Sequence, residues 1–161
     1  MRVNRYLPHV LVLPEDDADR QLANGFVLEP SLSARNIQVL PEAGGWIEVL
    51  ERFKSEHIQA MNAYEYRYMV LLIDFDGDPD RLGQARAAVP GHLIDRVFIL
   101  GALTEPEKLK ADIGEPYEAI GLALARDCRE GTDATWGHSL LRHNAIEVER
   151  LRQRVRPILF A

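Results

Sequence analysis

Four short apolar runs are spaced along the chain, separated by longer stretches in which apolar and polar residues mix. His9-Val10-Leu11-Val12-Leu13-Pro14, Asn36-Ile37-Gln38-Val39-Leu40, Tyr68-Met69-Val70-Leu71-Leu72-Ile73 and Arg96-Val97-Phe98-Ile99-Leu100-Gly101 each read as a strand. The third is brief, lacks polar alternation and runs into a Gly/Pro/Asp turn, the pattern of a parallel strand covered on both faces. Helices are predicted over about 16–24, 46–63 and 79–88, and then over 105–112, 116–129 and 137–155. The tail Ile158-Leu159-Phe160 is expected to add an edge strand or to dock on the surface. Strands alternating with helices imply βαβ units, hence an α/β fold with a mostly parallel central sheet flanked by helices. No repeat or linker interrupts this order, so residues 1–161 read as a single domain in which 113–161 form a helical C-terminal extension.

Two of the runs end in acid. Glu15, Asp16, Asp17 and Asp19 follow the first, and Asp74, Asp76 and Asp78 follow the third. Doubly wound sheets do chemistry at the C-terminal ends of their strands, and a flavodoxin-like order makes the first and third strands neighbours. Glu15 is then expected against Asp74 and Asp76. Side chains at i and i+2 of an extended segment share a face, so Asp74 and Asp76 are expected to point at one ion. Two carboxylates about 4 Å apart repel by about 4 kcal/mol at an effective dielectric near 20, which calls for a cation, a proton or a basic neighbour. Such hard oxygen ligands suit Mg²⁺ or Mn²⁺. Asp16 or Asp17 has a second explanation as a helix cap, which Glu15 lacks. For 74–78 the plain alternative is a solvated acidic turn.

A net charge of −6 argues against a freestanding, nonspecific nucleic-acid binder, which relies on Lys and Arg along the phosphates. A nuclease is not excluded, because a bound cation would neutralise the acidic clusters locally. The single Cys128 rules out an intrachain disulfide and fits a reducing cytoplasm. No segment approaches the roughly 18 continuous apolar residues of a membrane span, and the start of the chain lacks the apolar core of a signal peptide. A soluble cytoplasmic protein with no membrane partner is expected.

Glu15 after the first strand, Gly44-Gly45 after the second, and Asp74 and Asp76 after the third resemble, in order and spacing, the Toprim domain. The stretch Leu71-Leu72-Ile73-Asp74-Phe75-Asp76-Gly77-Asp78-Pro79 is similar to segments of the overcoming-lysogenization-defect nucleases and the ribosomal-RNA maturation nucleases. The resemblance covers roughly residues 8–112. It implies a Toprim-like fold and Mg²⁺- or Mn²⁺-dependent phosphodiester hydrolysis of nucleic acid. Carried over by position, Glu15, Asp74 and Asp76 would be the catalytic and metal-holding residues, and Asp78 a further metal-site acid. Many Toprim domains place Gly after the first-strand Glu, where this chain has Asp16. The nuclease branch adds acids and a lysine after the fourth strand, where Thr104-Glu105-Pro106-Glu107-Lys108-Leu109-Lys110 stands. Thr104 and Glu107 have the spacing of a capping box, which favours Glu105 as the metal-site acid. Lys108 and Lys110 are candidate phosphate contacts or ordinary helix-surface residues. Gly44 and Gly45 form a tight turn or admit a phosphate to backbone N–H groups at a helix start.

Ile73-Asp74-Phe75-Asp76-Gly77 also resembles the first motif of haloacid-dehalogenase phosphatases, but that motif lies near the N-terminus and continues with Thr. An EF-hand loop fails, since Pro79 and Ala85 stand where its glycine and final glutamate belong. A receiver-like signalling or binding domain would use Glu15, Asp16, Asp17 and Asp74 as its acidic pocket, but its Lys-Pro has no counterpart nearer than Glu115-Pro116. His138 and His143 fall about 140° apart on a helix, and His9, His57 and His92 are scattered, so none forms an obvious ligand pair. Trp46 and Trp136 are expected to be buried at helix starts. Arg142, Arg150, Arg152, Arg154 and Arg156 give the last helix a basic face, for solvent, nucleic acid, a protein partner or a second copy.

Overall fold

The structure, a computed structural model, describes residues 2–160. Strands β1 (His9–Pro14), β2 (Ile37–Val39), β3 (Arg67–Leu72) and β4 (Val97–Leu100) form one all-parallel sheet in the order β2-β1-β3-β4. β1 and β3 lie side by side, in register from His9 opposite Arg67 to Pro14 opposite Leu72. Alternate strand residues face opposite layers. Val10, Val12, Val70, Phe98 and Leu100 pack against α1 (Asp17–Val27), α5 (Pro106–Ile113), α6 (Tyr117–Glu130) and α7 (Ala145–Leu159). Leu11, Leu13, Met69, Leu71, Val97 and Ile99 pack against α2 (Trp46–Arg52), α3 (Ile58–Ala63) and α4 (Arg81–Ala87). The result is an α/β fold with helices on both faces of a parallel sheet, the arrangement a Toprim-like chain requires.

Several expected boundaries shift. The stretch 46–63 is helical throughout but divided, since a π turn at Phe53–His57 joins α2 to α3. Residues 113–160 are not an appendage. α6 lies so tightly on α1 that a side chain at Gly25 or Gly121 would meet the backbone of Glu118 or Leu22, and α7 shares the same core. The helix predicted over 137–155 begins only at Ala145, because the preceding residues turn to hold Asn144. It then runs past Pro157 to Leu159, so the tail adds no strand. The final carbonyls of α7 find donors in Ser33 and Asn36, which stabilises a helix end that would otherwise lack partners.

β4 is an edge strand, and side chains close its open side. Glu147 Oε2 accepts from Ile99 N at 3.0 Å, while the Asn144 amide accepts from Gly101 N at 3.2 Å and donates to Gly101 O at 2.9 Å. Three residues apart at the start of α7, these two side chains meet backbone groups two residues apart along the strand. Asn144→Leu should therefore destabilise the protein by about 3 kcal/mol, since it strands a buried N–H and a buried carbonyl. Urea unfolding checks this, and a loss below about 1 kcal/mol would show that water replaces the amide. The free edge should also promote self-association, visible by light scattering.

Candidate metal centre

The β1–β3 adjacency brings the two acidic segments together at the C-terminal edge of the sheet. Glu15 N donates to Leu72 O at 2.8 Å, and Glu15 Oε1 accepts from Asp74 N at 3.0 Å, so the side chain bridges the ends of both strands. Asp16 is the N-cap of α1, its Oδ1 accepting from Asp19 N at 3.0 Å. Asp17 turns outward to Arg20 and Gln21. Asp19, one turn into the helix, has no exposed surface and faces the strand ends. One carboxylate oxygen from each of Glu15, Asp16, Asp19 and Asp74 lies within 4.8 Å of the others.

Hydrogen bonding separates this group from the other buried acids. Asp127 accepts from Thr132, Thr135 and Trp136, Glu29 from Ser31, and Glu147 from Ile99 and two arginines. In contrast, both oxygens of Asp19 and Oδ1 of Asp74 are buried without a partner among the described residues. Burial first, against the opposing effect of its contact with Asp19 and helped by repulsion from Glu15 and Asp16, holds the Asp74 carboxyl up at about 8; burial and the charges of Asp74 and Asp16 hold Asp19 well above the carboxylate range. Burial also raises Glu15, despite the bond from the Asp74 backbone. Without a cation Asp74 retains its proton at neutral pH, and burial favours the neutral form of Asp19 and Glu15 as well. Four hard oxygen donors, several of them orphaned and buried, fit a small divalent ion.

The other expected site residues do not join this group. Asp76 leaves the extended path of β3, taking a left-handed backbone with φ 48° and an exposed side chain. The cause is the loop 73–77, whose N–H groups at Ile73, Phe75, Asp76 and Gly77 bond to carbonyls of Leu100, at the end of β4, and of the segment that follows it. This buries Phe75 and swings Asp76 outward to Arg81, so Asp74 and Asp76 do not share a face. Arg81 Nη1 donates both to Asp76 Oδ2 and to Asp74 O at 2.8 Å, and its guanidinium lies 4.4 Å from the centre of the Trp46 ring. Asp78 Oδ1 accepts from Asp80 N within the following turn.

Glu105 is the exposed N-cap of α5 and is not among the clustered acids, and Thr104 is not part of a capping box, because the helix starts one residue later, with Pro106 at its first turn. Gly44 does not offer its N–H to a phosphate, since it donates to Glu15 O at 2.8 Å, and the Glu48 carboxylate lies over Gly45. Gly44, with φ 106°, serves instead as the turn that ties the β2–α2 loop to Glu15. Lys108 is exposed. Lys110 Nζ lies 4.9 Å from the centre of the Tyr117 ring, and Tyr117 borders the acidic group, whose charges add to burial and Glu107 in raising its phenol. Of the arginines on α7, Arg150 is held by Glu147 and Ile94 O, and Arg152 by Asp133, Asp127 O and Thr132 O. These two serve the fold rather than a binding face.

Asp16 and Asp19 are the clustered acids that the strand-end reading did not place in the site. Asp19 stands three, four and seven residues before Leu22, Ala23 and Phe26, on the inward face of α1, which marks it as a carboxylate turned toward the core. Compared with protein-family models, curated proteins and solved structures, the chain matches none. The chemistry must therefore be read from the carboxylates themselves.

Proposed function

We propose that this chain is a phosphodiester hydrolase that acts on nucleic acid and uses Mg²⁺ or Mn²⁺ held by Glu15, Asp16, Asp19 and Asp74. The observation that carries the metal is the pair Asp19 and Asp74, buried with orphaned oxygens in a fold that partners its other buried acids. The Toprim resemblance supports the class of reaction. When bound, the cation supplies positive charge to a phosphoryl oxygen and acidifies a water molecule. Glu15 is anchored through Oε1, so Oε2 would hold the cation or, where the other three acids hold it, take up a proton from water. Asp76 and Arg81 are positioning residues, because their ion pair holds the loop that presents Asp74. The net charge of −6 opposes a polyanion, so affinity for nucleic acid is low and salt-sensitive, and a protein partner or a second copy assists. Cytoplasmic action belongs to the same proposal. No helix among the described residues is long and apolar enough to cross a membrane.

The test is cleavage of single- and double-stranded DNA and RNA by the purified chain, with Mg²⁺, Mn²⁺ or a chelator. Cleavage should require the metal and fall about 100-fold or more in Asp74→Asn, because a direct ligand matters at least as much as the groups that orient one. A stoichiometric aspartyl phosphate on Asp74 without cleavage would replace this reading with a receiver-like or phosphatase one.

A further inference from the structure

A second cluster of charge lies at the opposite edge of the sheet. β1 begins at His9 and β3 at Arg67, so the segment before β1 and the turn before β3 meet about 20 Å, the length of a six-residue strand, from Glu15 and Asp74. Arg5 Nη1 donates to the Tyr64 hydroxyl at 2.9 Å. The guanidinium carbons of Arg5 and Arg67 stand 5.2 and 5.1 Å from the centre of the Tyr64 ring, and Tyr6 meets that ring edge-on at 6.1 Å. Burial, and then the charge of Arg5, disfavours the cation on Arg67.

These two arginines differ from those that pair with acids elsewhere. Arg20, Arg81, Arg86, Arg129, Arg150 and Arg152 each meet a carboxylate. Among the described residues, Arg5 and Arg67 form no ion pair, although they lie against one ring. Arg67 Nε donates to His9 Nε2 at 3.0 Å, which fixes the guanidinium and leaves its terminal nitrogens for another acceptor. Arg96 is not available to neutralise an anion as they are, because the carbonyls of Met61, Tyr64 and Arg67 occupy it. Beside the pair, Tyr6, Leu7 and Tyr66 are 69%, 55% and 47% exposed.

We propose that this edge is a docking surface for a protein partner, which inserts one or two carboxylates between Arg5 and Arg67 and lays apolar side chains on Tyr6, Leu7 and Tyr66. Pre-positioned guanidinium forks bind carboxylates bidentately, and arginine and tyrosine are the residues that anchor protein interfaces. Two such forks match a short acidic segment. A nucleic-acid strand instead needs a row of cations along its phosphates, and two guanidiniums beside exposed apolar side chains do not make one. The surface stands independently of the hydrolase reading, since it shares no residue with the carboxylate cluster.

The full chain, isotope-labelled, can be titrated with four probes while the tyrosine ring and arginine Nε–H resonances are followed by NMR. The probes are a peptide of alternating aspartate and leucine, its asparagine–leucine analogue, oligothymidylate and inorganic phosphate. Saturable shifts at Tyr6, Tyr64 and Arg67 are expected with the acidic peptide, at least tenfold tighter than with the other three. Arg5→Ala and Tyr6→Ala, both at exposed positions, should each weaken the peptide tenfold or more while the remaining spectrum stays folded. Equal binding of the neutral peptide, tighter binding of oligothymidylate, or no saturation at millimolar peptide would overturn the proposal. So would a homodimer that Arg5→Ala disperses, which would put a second copy on this edge.

Discussion

Asp19→Ala is expected to weaken Mn²⁺ binding about 100-fold or more, whereas Asp76→Ala should leave it within about fivefold. The contrast follows from where each carboxylate ends. Asp19 is buried, has no hydrogen-bond donor on either oxygen and faces Glu15, Asp16 and Asp74, so removing it would remove one of the four proposed ligands. Asp76 is 56% exposed at its side chain and engages Arg81, and an exposed ion pair contributes about 1 kcal/mol or less. Isothermal titration calorimetry on both variants measures the difference. Thermal unfolding provides an independent check, because Mn²⁺ should raise the melting temperature of wild type and of Asp76→Ala but not of Asp19→Ala. Loss of binding in Asp76→Ala with retention in Asp19→Ala would move the ion to the outer face of the loop.

Without metal, the protein should lose stability steadily as pH rises from about 4 to about 8, and Asp74→Asn should remove a large part of that loss. The Asp74 carboxyl titrates at about 8 in the fold, against 3.8 for an unperturbed group. Between those values the folded form holds a proton that the unfolded chain has released, so stability decreases with pH across the window and levels off above it. Asp19 and Glu15, also raised, act in the same direction. A bound divalent ion replaces the protons, so saturating Mn²⁺ should flatten the profile, with proton release on binding near pH 7. Denaturant titrations at several pH values test this. A metal-free profile that rises across the window would mean that the carboxylates do not share a buried space.

Alanine at Asp76 frees Arg81, which still donates to Asp74 O, and so changes the loop without removing a clustered carboxylate. Asp74→Asn keeps the side-chain shape and removes the charge, which makes it the cleaner control for metal-dependent activity. Asp19→Asn adds a test of the buried ligand, with the amide able to use oxygens that have no donor at present.

Sequence alone determines the α/β class, the four strands and the meeting of Glu15 with Asp74, because these depend on features that repeat along the chain. Unbroken apolar runs mark strands covered on both faces, and acids directly after two such runs must share an edge once the strands are parallel neighbours. Asp16 as the cap of α1 is likewise local chemistry. Tertiary structure decides which acids converge. Period-two logic puts Asp76 beside Asp74, but it holds only while the segment stays extended, and hydrogen bonds from loop 73–77 to the segment after β4 bend it away. Asp19 enters because α1 presents it inward at the strand ends, a consequence of helix phase and docking angle together. The closure of β4 by Asn144 and Glu147, and the placing of Arg5 and Arg67 against the Tyr64 ring, bring together residues more than forty positions apart. Such contacts carry no signal in local periodicity, since they arise where the packed elements happen to bring polar groups within hydrogen-bonding reach.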